Sequence, residues 1–228
     1  MVDGRSGDPD RFVAVGAESA RLIREALAGV GVELERLMGL YDPAVTSVQL
    51  NLLGSHDSPR FRTMAGEDPD SYHLAVLLQA TLPGAPCIYY GDEVGLTGDN
   101  DPGCRGAFPW DEDRWDVDGL AWTRAAYEAR HALPALRRGG FRVIGATGDA
   151  LCFVRGADGE TGAPVLVAVN AGDHPVEVPA FLPELAGASL VDVPLPGGDP
   201  QPGVAVAADG RVGVAVAGRR GRVLVPRD

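Results

Sequence analysis

The 228-residue chain reads as an α/β segment followed by an all-β segment. Three observations predict this class. Up to about residue 138, helical patterns alternate with short apolar runs, as they do in parallel βα units. Beyond it, eight short β-type runs follow one another, separated by Gly, Pro and Asp, the habit of a small antiparallel sandwich. Between them stands Arg138-Gly139-Gly140, which ends a helix. The boundary is placed there, giving residues 1–138 and 139–228.

The elements follow in order. Ile23, Leu27, Val30, Leu34 and Leu37 recur every three or four residues, one face of a helix over Glu18–Met38. Gly29 and Gly31 weaken its middle, so two shorter helices fit equally well. Pro43 is expected to stop it, and Val45–Leu53 to form a strand ending in the polar turn Gly54–Pro59. Asp70–Leu82 reads as a helix ended by Pro83-Gly84, and Pro86–Tyr90 as a short buried strand. Residues 92–118 are loop-like and rich in Asp and Gly; a loop that long in a compact domain is usually functional. Leu120–Leu136 reads as one more helix, ended by Pro134 and the Gly139-Gly140 pair. The strands of the tail are expected at Phe141–Ile144, Ala150–Arg155, Val165–Asn170, Val176–Pro179, Ser189–Val193, Gly203–Val206, Val212–Val216 and Arg222–Val225.

Composition removes whole classes of function. With 45% hydrophobic and 23% charged residues the chain can build a packed core. A net charge of −12 repels nucleic acid and anionic membrane, and the densest basic run is only Arg219, Arg220 and Arg222. All 20 basic residues are arginine, which excludes lysine Schiff-base and P-loop chemistry. Cys87, Cys104 and Cys152 form neither a disulfide framework nor a zinc pair. A reducing, cytoplasmic setting is expected: the first ten residues carry Asp3, Asp8 and Asp10 rather than a leader pattern, and no apolar run approaches the roughly 18 residues of a membrane span.

In a parallel α/β fold, function sits in loops at the carboxyl ends of the strands. Two polar clusters fall there: Ser55-His56-Asp57, and residues 92–110. An Asp before Ser58-Pro59 often only caps a turn, and Asp57 also suits a binding or catalytic carboxylate. Asp92-Glu93 resembles a carboxylate pair, but adjacent side chains at a strand end point to opposite sides, so turn or salt-bridge duty is expected. Asp101 and Arg105, four apart, either clamp a polar ligand or pair with each other. Tyr90, Phe108, Trp110 and Trp115 offer stacking surfaces near these loops or pack its rim. The histidines at 73, 131 and 174 are too scattered for a metal site.

These residues carry a resemblance. Asn51-Leu-Leu-Gly-Ser-His-Asp-Ser-Pro-Arg60 resembles the last shared region of the α-amylase superfamily of glycoside hydrolases, in the form used by the neopullulanase, cyclomaltodextrinase and maltogenic amylase branch. Most other members have Asn where this chain has Ser55. The run from Leu82 to Gly95 is similar to the eighth barrel strand, Asp101-Pro-Gly-Cys-Arg105 with Phe108-Pro-Trp-Asp111 to the loop after it, and Ala132–Arg137 to the close of the last barrel helix. The β-rich tail matches the C-terminal sandwich of that family.

The resemblance implies a fold and a set of roles. The fold is the last two or so βα units of a (β/α)₈ barrel, followed by an antiparallel β-sandwich. Asp57 takes the place of the carboxylate that binds two hydroxyls of the distorted sugar and stabilises the oxocarbenium-like transition state; His56 takes that of the histidine donating to the same sugar. Asp101 and Arg105 take those of residues contacting the next sugar. A fixed carboxylate opposite developing positive charge is electrostatic preorganisation. Retention also needs a nucleophile and a general acid about 5–5.5 Å apart. The family nucleophile follows Gly-x-Arg-x-Asp, and no such run stands upstream of residue 45. A whole barrel takes about 250 residues.

The chain is therefore expected to be the C-terminal part of a retaining α-glucan hydrolase. Alone it would be inactive, with a missing N-terminal barrel half as partner, a maltooligosaccharide or α-glucan as substrate, and no cofactor; calcium, used by some relatives, finds no ligand cluster. The competing expectation is a non-catalytic maltooligosaccharide-binding or interaction module of the same fold.

Overall fold

A computed structural model describes residues 34–197 and 201–227. The helix expected over Glu18–Met38 lies mostly outside these; its last residues, 34–38, are helical. Glu35 there accepts the Val143 N–H at 2.8 Å, so this exposed carboxylate tethers the helix end to the tail.

Pro43 stands five residues beyond the end of that helix at residue 38. It starts a new one, α1 (Pro43–Thr46), whose cap Asp42 accepts the Ala44 N–H at 2.8 Å. A proline with its φ preset, behind an Asp cap, outweighs the β-like apolar pattern of Val45–Leu53. The strand expected there shrinks to β1 (Leu50–Leu52). Helices α2 (Phe61–Met64) and α3 (Pro69–Thr81) follow. Asp68 caps α3 by accepting from the Asp70 and Ser71 amides. β2 (Ala85–Cys87) then runs parallel to β1, with Leu50 opposite Ala85 and Leu52 opposite Cys87. The buried Gln79 amide of α3 binds the two strands together, donating to the Asn51 carbonyl at 2.8 Å and the Cys87 carbonyl at 3.0 Å.

The segment 92–116 is less irregular than its composition suggests. Three single 3₁₀ turns, Asp92–Val94, Gly103–Arg105 and Glu112–Arg114, are spaced along it. The single helix expected over Leu120–Leu136 is two: α4 (Val117–Ala132) and α5 (Pro134–Arg138). Pro134 has no N–H to continue the ladder and opens the second helix at its first position.

All eight short runs of the tail form strands. β3 (Phe141–Thr147), β4 (Ala150–Arg155), β5 (Val165–Asn170), β7 (Ser189–Asp192), β8 (Val204–Ala205) and β10 (Arg220–Pro226) make one antiparallel sheet, ordered β3-β4-β5-β10-β7-β8. β6 (Val176–Phe181) and β9 (Arg211–Val216) make a second, two-stranded sheet packed over it.

The larger sheet is the middle of three layers. Along β4, Leu151 and Phe153 join a core with Leu77, Trp122 and Leu136 of the helices, while Cys152 and Val154 join a core with Val178 and Val214 of the smaller sheet. β5 alternates likewise, and every residue of both strands is buried. Period-two side chains therefore feed two cores, and an antiparallel strand reads as a continuous apolar run. Buried arginines seal the layers where the helices end. Arg130 donates to the carbonyls of Ala80, Leu82, Gly84 and Leu136, and Arg155 to those of Thr81, Gly139 and Gly140.

Among the described residues, Leu50 and Leu52 of β1 are exposed, Leu50 by 62%, and so are Leu37, Leu40, Tyr41, Val45 and Val48 before it. An apolar groove of about 550 Å³ opens between β1, α2 and α3.

Candidate functional site

The turn Gly54–Arg60 leaves the carboxyl end of β1 and is stitched from within. The Asp57 N–H donates to Ser55 Oγ at 3.1 Å, and the Ser55 N–H to Ser58 Oγ at 3.2 Å. These bonds shape the turn without fixing where it stands. That is done by the loop after β2, which brings in Cys104 and Arg105: the Cys104 thiol donates to the His56 carbonyl at 3.3 Å, and Arg105 Nε to the same oxygen at 3.0 Å.

The four residues singled out from the sequence converge here. His56 Nε2 lies 3.1 Å from Asp57 Oδ2. Arg105 Nη2 lies 3.6 Å from Asp57 Oδ1, and its Nε 3.1 Å from Asp101 Oδ1. Both sequence alternatives for Asp101 and Arg105 are thus visible at once: they pair, and the pair reaches Asp57. All four side chains are about half or more exposed, so the cluster presents two carboxylates, an imidazole and a guanidinium to solvent. Such a set binds vicinal hydroxyls, the carboxylates accepting and the Arg and His donating.

Beneath it lies a buried cluster that spacing does not reveal. Arg60 is fully buried; its Nη1 donates to Asp92 Oδ1 at 2.9 Å and to the Tyr90 carbonyl at 2.6 Å. Its guanidinium carbon lies 4.4 Å from the Tyr89 ring centroid and 4.7 Å from that of Tyr90. Asp92 therefore does the salt-bridge duty expected of it, with a partner 32 residues away. Burial pushes its carboxyl up to about 6, against the pull of Arg60. Asp92 also presses on the turn: a Cβ on Gly54 would stand 2.9 Å from Asp92 Oδ2. The one sequence signal for this cluster is that Gly54 and Arg60 bracket the His-Asp pair.

The aromatic residues divide. Phe108 packs on Trp115, centroids 5.9 Å apart, and the Trp115 indole donates to the Pro109 carbonyl at 2.5 Å. Trp110 lies against Phe108 yet is 84% exposed. The Tyr90 hydroxyl donates to the Gly106 carbonyl at 2.9 Å. His73 stacks on Trp122 with centroids 4.7 Å apart, a packing role. Among the described residues no three His, Cys, Asp or Glu side chains are grouped to hold a metal ion, and no helix is long and apolar enough to cross a membrane.

Residues 26–131 match the family described as alpha amylase, catalytic domain. A cyclomaltodextrinase of Bacillus sp. is 42% identical over 132 residues, covering 57% of this chain and 23% of that protein. Neopullulanase 2 of Thermoactinomyces vulgaris is 40% identical over 110 residues, covering 48% and 19%. The debranching enzyme of Nostoc punctiforme superposes with a TM-score of 0.72 at 27% identity, covering 94% of this chain and 46% of that one. The chain thus spans about a quarter or less of the length of these curated relatives, and resembles α-amylase-superfamily glycoside hydrolases of the neopullulanase and cyclomaltodextrinase branch.

Proposed function

We propose, from the match of residues 26–131 to the α-amylase catalytic domain, that this chain supplies one wall of the sugar site of a retaining α-glucan hydrolase, cleaving α-1,4 or α-1,6 glucosidic bonds. The carrying observation is the convergence of His56, Asp57, Asp101 and Arg105 at the carboxyl end of β1. Asp57 accepts from two hydroxyls of the sugar at the cleavage point and faces the positive charge that develops on its ring. His56 donates to the same sugar; Asp101 and Arg105 hold the next one. No cofactor enters this reading, and the cytoplasm, where three free cysteines stay reduced, is its setting.

In the same reading the nucleophile and general acid come from outside these 228 residues, and residues 1–138 are the closing part of a (β/α)₈ barrel next to the sandwich of 139–228. Two features support it. A parallel pair of strands is ordinarily covered on both faces, whereas Leu50 and Leu52 are 62% and 50% exposed. Asp92, the carboxylate that packs under the turn at Gly54, is buried and already paired with Arg60. A polypeptide bringing further parallel strands would pair with β1, cover its face and carry the two missing carboxylates.

Hydrolysis of a chromogenic maltooligosaccharide, with calorimetric binding of maltohexaose, tests this on the purified chain beside Asp57→Ala. Binding without turnover, lost in the variant, is expected. Turnover by the chain alone would overturn the assignment of nucleophile and acid to another polypeptide. Absence of binding would overturn the sugar site itself.

A further inference from the structure

His56 and Asp57 are largely exposed, and the bonds inside their turn are all short-range. Their direction must be set by contacts to another element. Among the described residues two anchors stand out, one at His56 and one at Arg60. One is the His56 carbonyl, which accepts from the buried Cys104 thiol and the half-exposed Arg105. The other is buried and centred on Arg60. Its N–H donates to the Gly98 carbonyl at 2.9 Å, and its side chain holds Tyr90 and Asp92. Nearby, the Gly98 N–H donates to Thr63 Oγ1 at 2.8 Å, so the junction is sewn in both directions.

The side chain is chosen for shape as well as charge. Among the described residues Arg60 Nε and Nη2 have no hydrogen-bond partner, and the cation is compensated by one carboxylate and two ring faces. A flat guanidinium lies against ring faces as a compact, strongly hydrated ammonium does not. At the other end of the turn, Gly54 admits Asp92 only because it has no side chain.

We propose that Arg60 is a positioning residue for the sugar-binding pair: through the Tyr90 carbonyl, the Asp92 carboxylate and the rings of Tyr89 and Tyr90, it locks the Gly54–Arg60 turn, and so the direction of His56 and Asp57, onto the loop after β2. The word sugar-binding rests on the function proposed above; the locking does not.

The test is hydrogen exchange of the intact chain and its Arg60→Lys variant, read beside maltohexaose affinity. Lysine keeps the charge and loses the planar fit. Amides of 54–60 and 96–106 are expected to exchange about tenfold faster, with α4 and the sandwich unchanged, and affinity to fall about tenfold. If Arg60→Lys does not fold, Tyr89→Leu, which removes one ring face and no hydrogen bond of Arg60, is read in the same way, with a smaller rise confined to the same segments. Unchanged exchange at 54–60 in a folded variant would overturn the proposal. So would a rise spread evenly over α4 and the sandwich, which marks a merely structural residue. Lost affinity with unchanged exchange would also overturn it, since Arg60 would then act on sugar directly. A wild-type chain that binds no maltohexaose would sink the sugar site and leave the exchange result readable.

Discussion

Arg105 donates from Nε to the His56 carbonyl at 3.0 Å, while its Nη2 reaches within 3.6 Å of the Asp57 carboxylate. One guanidinium therefore grips the backbone of one member of the pair and the side chain of the other. Arg105→Lys keeps the charge and cannot make both contacts. Maltohexaose affinity is expected to fall about tenfold by calorimetry, with stability changed by less than about 1 kcal/mol because the side chain is half exposed.

Gly54→Ala tests how closely Asp92 sits under the turn. The added methyl would stand 2.9 Å from Asp92 Oδ2 at a buried position. Overpacking of that kind costs about 1–3 kcal/mol. Urea unfolding should show the loss, and the urea midpoint of Gly54→Ala staying at the wild-type value would mean that Asp92 moves freely.

Arg155 closes the seam between helices and sandwich. It is buried and donates to the carbonyls of Thr81, Gly139 and Gly140. Burial pushes its guanidinium down to about 9, a sign of how dry the seam is. Arg155→Met leaves those carbonyls without their donor and is expected to cost about 2–4 kcal/mol in urea unfolding. The equivalent change at the exposed Arg211 should cost almost nothing.

Two kinds of carboxylate give the pH dependence opposite signs. Burial raises Asp92 to about 6, so its protonated form is favoured in the folded chain; its contribution is full below about 4 and lost as pH rises through 6. At Asp68 burial also pushes upward, but the Ser71 hydroxyl and the Arg219 charge outweigh it, and the carboxyl lies below its usual range. Asp116 behaves alike, held down by the Gly119 amide and Arg62 against its burial. Their contribution is present above about 4 and lost as pH falls through their lowered values. Melting curves of wild type and Asp92→Asn from pH about 7 to 4 separate the two: the difference should move in favour of the wild type as pH falls. A constant difference would show that Asp92 titrates as an ordinary carboxylate.

The sequence by itself determined the local elements whose signals are short-range. The β-type runs of the tail, the helix expected over Asp70–Leu82 and found at Pro69–Thr81, and the His56–Asp57 turn all follow from spacing and turn residues, forces that act within a few positions. Where two local signals competed, the pattern misled: Asp42-Pro43 made a helix from the start of an expected strand, and Pro134 cut an expected helix in two. The meeting of Asp57 with Arg105 was legible only through the family motifs, since nothing in a 48-residue separation dictates contact. Tertiary structure alone decided the rest: that the buried Arg60 and Asp92 pair, with Arg60 against two tyrosine rings, that β4 and β5 feed two cores at once, and that Leu50 and Leu52 of β1 stay exposed among the described residues. Each depends on desolvation and packing among residues far apart in the chain, and burial is a property of the folded whole that no window of sequence contains.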